Sequence, residues 1–197
     1  MLKLLVALLI GLLAWKFLLQ EERVELGPGV RAPDAPHQSA PRTSDSFELK
    51  GYRITPLAEF RINAKVLSRE TYSLGHEAEL SPLDLALGWG PMSDEELLQQ
   101  IRISQFGRWY RWRAPTNFPI ARREIETHST NMHMIPADDD IEDALEDVRN
   151  GQVIELSGQL VGVRAEDGWH WTSSLTREDT GARSCELVYV ERVRIID

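Results

Sequence analysis

Hydrophobic and polar residues alternate most regularly in EFRINAKVLS, which occupies residues 59–68. Phe60, Ile62, Ala64 and Val66 fall on one face of an extended chain, and mostly polar residues lie between them. Alternation with a period of two predicts a half-buried strand of an antiparallel sheet. The pattern therefore places one strand of the folded domain at this segment.

The last third of the chain carries further strand patterns. QVIELSGQLVGV (152–163) leads to an EDG turn signal and then to WHWTSSL (169–175), which together predict a hairpin. CELVYVERVRII (185–196) is apolar on both faces at its start, as a central strand is. Gly158, inside the first of these segments, is expected to mark a bulge that lets the sheet curl into a barrel.

Helix signals are fewer and shorter. DDDIEDALEDVRNG (138–151) is the clearest, with apolar residues at helical spacing, aspartates at its start and a glycine at its end. SPLDLALG (81–88) has a Ser cap followed by Pro, and SDEELLQQIRIS (93–104) opens with a capping-box pattern. RWYRWR (108–113) and then FPIARREIETH (118–128) predict strands around a Pro-containing turn. The expected fold class is α+β: a mostly antiparallel, barrel-like β domain with two or three short helices.

The amino terminus reads MLKLLVALLIGLLAWKFLLQ over residues 1–20 and has no polar side chain from Leu4 to Trp15. A membrane-spanning helix needs about 20 mainly apolar residues. The segment meets this need if Lys3 and Lys16 reach the two interfaces, which predicts a transmembrane signal anchor. A cleaved signal peptide is the alternative. The missing small-residue cleavage pattern in AWKFLLQEERVELG favours the anchor.

Two further regions follow the predicted anchor. Residues 21–46 contain four prolines and almost no periodicity, which predicts a flexible linker. Residues 47–197 are expected to form one soluble α+β domain. Because a short amino-terminal tail before a large domain favours translocation, we expect a single-pass protein of the inner (cytoplasmic) membrane. Its soluble domain would lie outside the cytoplasm, in the periplasm of a Gram-negative cell.

Charge limits the classes of partner that the protein can bind, and cysteine content limits its disulfide bonds. The net charge is −9 and the isoelectric point is near 5.1. Because nucleic-acid-binding surfaces need net positive charge, no nucleic-acid partner is expected. Cys185 is the single cysteine, so no intrachain disulfide can form. It is expected to be a small buried hydrophobic residue on a strand.

The sequence offers little for metal binding or catalysis. His128 and His133 are five residues apart, a spacing that suits neither one face of a helix nor one face of a strand. The aspartate run 138–140 lacks the alternating spacing of a calcium loop. No nucleophile motif is present. We therefore predict no metal and no cofactor and assign no catalytic residue. A membrane-tethered hydrolase or metal-dependent enzyme using His128, His133 or His170 stays open as the alternative, and it requires these side chains to converge in one pocket.

A basic and aromatic stretch is the first candidate binding surface. Residues 97–123 contain six arginines, no Asp or Glu, and five aromatic residues, a mixture that suits stacking and anion contacts. The structural alternative is that Tyr110 and Trp112 pack inward while the acidic helix 138–147 neutralises the arginines. The predicted binding residues in this stretch are Arg108, Trp109, Arg111, Trp112 and Arg113.

The carboxyl-terminal hairpin is the second candidate. Trp169 and Trp171 share one face of a strand, and His170 lies on the other. Tryptophan pairs stack on sugars, although they serve more often in packing. Arg177, in the polar loop TREDTGARS that follows, completes the predicted binding residues because loops often carry function.

Three motifs read together carry a resemblance. The chain resembles a group of uncharacterised, small bacterial proteins with one amino-terminal membrane segment and one soluble domain. The segments that carry the resemblance are SPLDLALGWGPMSDEELL, HSTNMHMIP and DGWHWTSSLTREDTGARSCELVYV. The resemblance covers most of residues 79–190 and implies no activity, cofactor or catalytic residue. The expected function is that of a membrane-anchored, extracytoplasmic binding or scaffold domain of the bacterial envelope, with a protein or glycan partner.

Overall fold

The computed structural model describes residues 23–176 and 185–197. Over these residues the chain forms ten strands, four short α-helices and one 3₁₀ helix, which confirms the α+β class. In chain order the elements are β1 His37–Ser39, β2 Phe47–Leu49, β3 Tyr52–Thr71, α1 His76–Leu80, β4 Leu83–Gly88, the 3₁₀ helix Gly90–Ser93, α2 Glu95–Leu98, β5 Arg102–Phe106, β6 Trp109–Arg113, α3 Arg122–Thr127, β7 Ser129–Pro136, α4 Asp139–Glu146, β8 Val153–Arg164, β9 His170–Thr172 and β10 Glu186–Ile195.

Five strands close into a barrel in the order β3-β4-β7-β10-β8, with β8 pairing back to β3. The 20 residues of β3 make closure possible, because its first part pairs with β8 and its last part with β4. All of these pairs are antiparallel except β7–β10. The fourth barrel strand lies beside the first, which is Greek-key order. A five-stranded Greek-key barrel with this closure is the arrangement of the OB fold.

Bulges bend the long strands around the barrel. β3 shifts register between Pro56 and Ala58 and again between Val66 and Ser68. The bulge expected at Gly158 lies instead on the partner strand, where β10 shifts register between Val190 and Arg192. Gly158 faces this bulge, and a Cβ atom there would lie 1.9 Å from the Tyr189 carbonyl oxygen. Glycine is therefore needed because the bulged strand approaches too closely for any side chain.

The barrel interior is filled by the alternating residues of its strands. Phe60, Ile62, Ala64 and Val66 are all buried in one cluster, as their alternation predicts. Helix α4 packs against the same cluster, and its start is capped by the Asp138 side chain, which accepts a hydrogen bond from the Ile141 amide. The cluster also contains Leu83, Leu85, Leu87, Met132, Met134, Leu145, Val148, Leu156, Val188 and Val190.

Two local predictions are wrong. SPLDLALG is not a helix, because residues 83–88 form β4, which is buried on both faces. Its leucines, at every second position, point into the barrel, so burial overrides the helix-start signals of Ser81 and Pro82. FPIARREIETH is not a strand, because Arg122–Thr127 forms α3, in which Ile125 is buried. The helix predicted in SDEELLQQIRIS is confirmed only over Glu95–Leu98, because the chain turns to enter β5.

The Pro-rich segment predicted as a flexible linker lies along the barrel over its described residues. The Val24 amide donates to the Asn150 carbonyl at 2.8 Å, and Ala32 is 1% exposed. β1 pairs with β3, and Arg42 forms ion pairs with two barrel-strand carboxylates. The prolines thus favour an extended path that the barrel surface holds in place. No helix in 23–176 or 185–197 is long and apolar enough to span a membrane, and the predicted anchor 1–20 lies outside the described residues.

The close approach at Gly158 gives a direct test of the barrel closure. Gly158→Ala is expected to destabilise the protein by about 3 kcal/mol, because the new methyl group must displace the β10 backbone. Gly162→Ala, on the same strand, is the matched control, because its Cβ would meet no heavy atom closer than 3.9 Å. Thermal unfolding followed by circular dichroism measures both. Equal melting temperatures for the two variants would contradict the closure described.

Candidate functional site

A cleft of about 400 Å³ lies on the outer side of the barrel, beside β7. Its walls come from the loop between β3 and β4, the β5–β6 turn, β7 and the segment around β9. We call this pocket the β7 cleft. The lining residues are Glu77, Arg108, Trp109, His133, His170, Trp171, Thr172 and Cys185.

The β5–β6 hairpin reaches the cleft through a two-residue turn. Phe106 pairs with Trp109, so Gly107 and Arg108 form the turn between them. Both turn residues have positive φ, 58° at Gly107 and 68° at Arg108. Positive φ at both central positions is typical of the type I′ turn that tight hairpins prefer. Arginine is uncommon in this conformation, so contacts made by Arg108 must hold it there.

Arg108 makes those contacts with the barrel. Its guanidinium donates to Asp84 Oδ1 at 2.6 Å and to the Ser81 carbonyl at 2.8 Å. The guanidinium carbon lies 3.7 Å from the centroid of the Tyr72 ring, and the Arg108 amide donates to the Tyr72 hydroxyl at 3.0 Å. Burial, followed by the Asp84 carboxylate, raises the pKa of Tyr72 to about 12. The Tyr72 hydroxyl therefore keeps its proton while it accepts the bond from Arg108.

Asp84 is the centre of a buried polar cluster under the hairpin turn. Its side chain is fully buried, on the outward face of β4. Besides Arg108, it accepts a hydrogen bond from Asn131 Nδ2 at 3.2 Å, and Asn131 Nδ2 also donates to the Arg108 carbonyl. His133 Nδ1 lies 2.9 Å from Asp84 Oδ1, although the angle between them is not that of a hydrogen bond. The cluster thus joins β4, β7 and the hairpin turn.

His133 connects this cluster to the cleft. Its side chain is 4% exposed, and its Nδ1 atom is buried beside the Asp84 carboxylate. Its Nε2 has no hydrogen-bond partner among the residues the structure describes, and the ring lines the cleft. The Trp171 ring packs on His133 with centroids 4.6 Å apart. The cleft therefore offers the unpartnered Nε2 of His133 beside an aromatic wall.

A second contact network ties together the two loops that flank the cleft. The Tyr52 hydroxyl donates to Glu79 Oε2 at 2.9 Å and lies 2.9 Å from His76 Nδ1. Trp169 packs against both Tyr52 and His76, with ring centroids about 6 Å apart. Burial and the Glu79 carboxylate raise the pKa of Tyr52 to about 12, so the hydroxyl stays a donor. The network joins α1 to the β8–β9 turn.

The predicted binding residues divide into three groups. Arg108, Trp109, His170 and Trp171 line the cleft together, and Trp169 lies behind it, 6.0 Å from Trp171 between ring centroids. The second group belongs to β6: Arg111 and Arg113 are exposed and Trp112 is half-buried, packed inward with Tyr110 as expected. Arg177 lies outside the described residues.

Among the described residues, Arg108, Arg111, Arg113 and Arg122 form no ion pair with the acidic helix that was expected to neutralise them. The acid partners of Arg108 are Asp84 and Glu77, and Arg122 pairs with Glu126 in its own helix. In α4, Glu142 pairs with Lys50. Arg111 and Arg113 form no ion pair with any residue of the described segments.

The three histidines proposed for catalysis do not converge. His133 and His170 line the β7 cleft, but the His128 ring lies against Gly90, where a Cβ would be 2.8 Å from it. Within residues 23–176 and 185–197, no three His, Cys, Asp or Glu side chains are grouped to hold a metal. Sequence reasoning missed Asp84 and Asn131, although the alternation in LDLALG places Asp84 opposite the leucines.

Comparison with known proteins returned no matching family model, curated protein or solved structure. The resemblance to uncharacterised single-pass membrane proteins therefore stays a prediction. The class that the structure itself defines is a five-stranded OB-type barrel with a hairpin inserted between its second and third strands.

The Arg108–Asp84 pair is expected to hold the hairpin turn in place. Asp84→Ala and Arg108→Ala should each destabilise the protein by about 3 kcal/mol, because each leaves a buried charge without its partner. The double variant should show a coupling free energy above about 1 kcal/mol in a double-mutant cycle of urea unfolding. The exposed Arg122–Glu126 pair is the control, with coupling below about 0.5 kcal/mol. Additive effects at Asp84 and Arg108 would show that the pair does not hold the turn.

Proposed function

We propose that this protein is a membrane-anchored, extracytoplasmic binding module, and that its β7 cleft takes sugar units of an envelope glycan. The observation that carries the proposal is the unpartnered Nε2 of His133 beside the Trp171 ring. The membrane attachment and the location rest on the sequence of residues 1–20.

The chemistry of the cleft suits a hydroxyl-rich ligand. The His133 Nε2 atom faces the cleft and offers a hydrogen-bonding group to a ligand hydroxyl, while Nδ1 lies 2.9 Å from Asp84 Oδ1. Thr172 and Glu77 add exposed polar groups, and Trp109, 47% exposed, adds a second aromatic wall. A few fixed polar groups among aromatic faces are typical of small-molecule and sugar sites.

The position of the cleft on the barrel gives further support by analogy. OB barrels bind oligosaccharides and oligonucleotides on the face of their second and third strands, between two flanking loops. Here those strands are β4 and β7, which carry Asp84 and His133, and the flanking loops supply Glu77 and Trp171. Fold analogy alone does not assign function, and the residues of the cleft carry the proposal. The net charge of −9 favours a glycan over a nucleic acid.

An enzyme is the second candidate, and the Asp84–His133 pair is the observation that favours it. A carboxylate that orients a histidine is the arrangement used to activate a nucleophile. Cys185 lines the same cleft and is the residue such a histidine would activate. The binding proposal instead treats His133 as a ligand-binding group and Cys185 as an ordinary thiol.

Binding is tested with the full chain in detergent and sonicated peptidoglycan as the probe, by co-sedimentation. Trp171→Ala and His133→Ala should each weaken binding by about tenfold, because each removes a contact of about 1–1.5 kcal/mol. His37→Ala, which replaces an exposed histidine on β1, is the matched control and should bind as the wild type does. Melting temperatures verify folding. Equal sedimentation of all four proteins would exclude the cleft as the glycan site.

The thiol of Cys185 distinguishes the two candidate functions. A binding module predicts slow alkylation by iodoacetamide at pH 6, because an ordinary thiol has a pKa of about 8.5 and is almost entirely protonated there. His133→Ala should leave that rate unchanged. Mass spectrometry of the alkylated protein measures both rates. Rapid alkylation at pH 6 that His133→Ala slows by tenfold or more would instead support a Cys–His enzyme.

A further inference from the structure

The side of the β5–β6 hairpin that faces away from the barrel combines three arginines with two exposed aromatic rings. This outer face consists of Arg102, Ser104, Phe106, Trp109, Arg111 and Arg113. Phe106 is 79% exposed and Trp109 is 47% exposed, although large aromatic residues usually find cover in a folded domain. The opposite side of the hairpin is half-buried and packs through Ile103, Tyr110 and Trp112.

The charge on this face is uncompensated within the described residues. Arg102 stands directly opposite Arg113 in the strand register, and Arg111 stands opposite Ser104. Like charges opposite each other destabilise a strand pair. None of the three arginines has an ion-pair partner among residues 23–176 and 185–197. The arrangement therefore gains stability when an anion lies across the face.

The amino-terminal chain meets the barrel at α2, the helix that precedes this hairpin. Arg23 is fixed by an ion pair with Glu95 at 3.3 Å, and Glu95 lies in α2, which ends four residues before β5 begins. The predicted anchor ends at residue 20. Three residues of extended chain span only about 10 Å. If residues 1–20 cross the bilayer, Arg23 therefore lies within about 10 Å of the headgroups, and its ion pair places α2, the helix before the hairpin, toward the same membrane.

We propose that the outer face of the β5–β6 hairpin docks on the anionic phospholipid surface of the membrane that anchors the chain. Arginine guanidinium groups bind lipid phosphates through paired hydrogen bonds, and aromatic rings settle at the headgroup level. Both groups are present on one exposed face, whose arginines have no ion-pair partner in the described part of the chain. The inference rests on the proposed membrane attachment and adds a surface that the glycan cleft does not use, apart from Trp109 at their shared edge.

The test uses the full chain labelled with 5-fluorotryptophan in lipid nanodiscs, with a gadolinium-chelating lipid as the relaxation probe. In discs of phosphatidylcholine with phosphatidylglycerol, the ¹⁹F signal of Trp109 should broaden at least twofold more than in discs of phosphatidylcholine alone. Trp109→Phe assigns the signal. Trp89, which is 2% exposed inside the core, reports folding in the same spectrum.

Charge reversal then separates docking from simple proximity. Arg111→Glu with Arg113→Glu should abolish the extra broadening, while Arg164→Glu with Arg192→Glu, an exposed pair on other strands, should retain it. If the Trp89 signal shows unfolding, the milder pair Arg111→Gln and Arg113→Gln replaces the first variant. Broadening that is equal in the two lipid compositions, or that survives in the β6 variant, would overturn the docking. A chain that fails to enter the discs would overturn the membrane attachment, and the docking with it.

Discussion

The buried carboxylate of Asp84 is the constraint on which the outer architecture depends. A carboxylate without water is costly unless charge and hydrogen bonds replace its hydration. Here the compensation comes from Arg108 and Asn131, which reach Asp84 from the hairpin turn and from β7. The hairpin must therefore fold back over β4, and the Arg108 backbone must adopt a left-handed turn to do so. The position of the hairpin in turn sets one wall of the cleft.

The barrel supplies the rigidity that this constraint needs. β3 pairs with β8 and β4 along its whole length, and the bulges in β3 and β10 set its curvature. Asp84 and His133 lie opposite each other in the β4–β7 register, with their neighbours in sequence packed inside the barrel. A shift of one residue would move both side chains into the apolar core. The same alternation that fills the core thus fixes the polar groups of the cleft.

Strong local patterns predicted their structures well, but the weaker helix-start signals of Ser81 and Pro82 were overridden by burial, and groups that depend on distant partners were not predicted. The alternation around Phe60 and the capped helix after Asp138 contain their own signals, and both are confirmed. Arg108, Trp109, His170 and Trp171 stood out by residue type and do share the cleft. Asp84 could not be found this way, because its partners lie 24 and 47 residues away in the chain. The contacts of the Pro-rich segment could not be predicted for the same reason, since they are with the barrel rather than within the segment.

The first described residues of the amino-terminal chain are held closely against the barrel. The Glu95 carboxylate forms ion pairs with the Lys65 ammonium group at 2.6 Å and with the Arg23 guanidinium group at 3.3 Å. Lys65 is wholly buried and also donates a hydrogen bond to the Gly151 carbonyl. The described chain is therefore tied to the barrel from Arg23 onward. The β5–β6 hairpin then presents its tip to the cleft and its outer face away from the barrel. Because Arg108 joins that tip to Asp84, Glu77 and Tyr72, a force on the outer face would act on the cleft wall through these contacts.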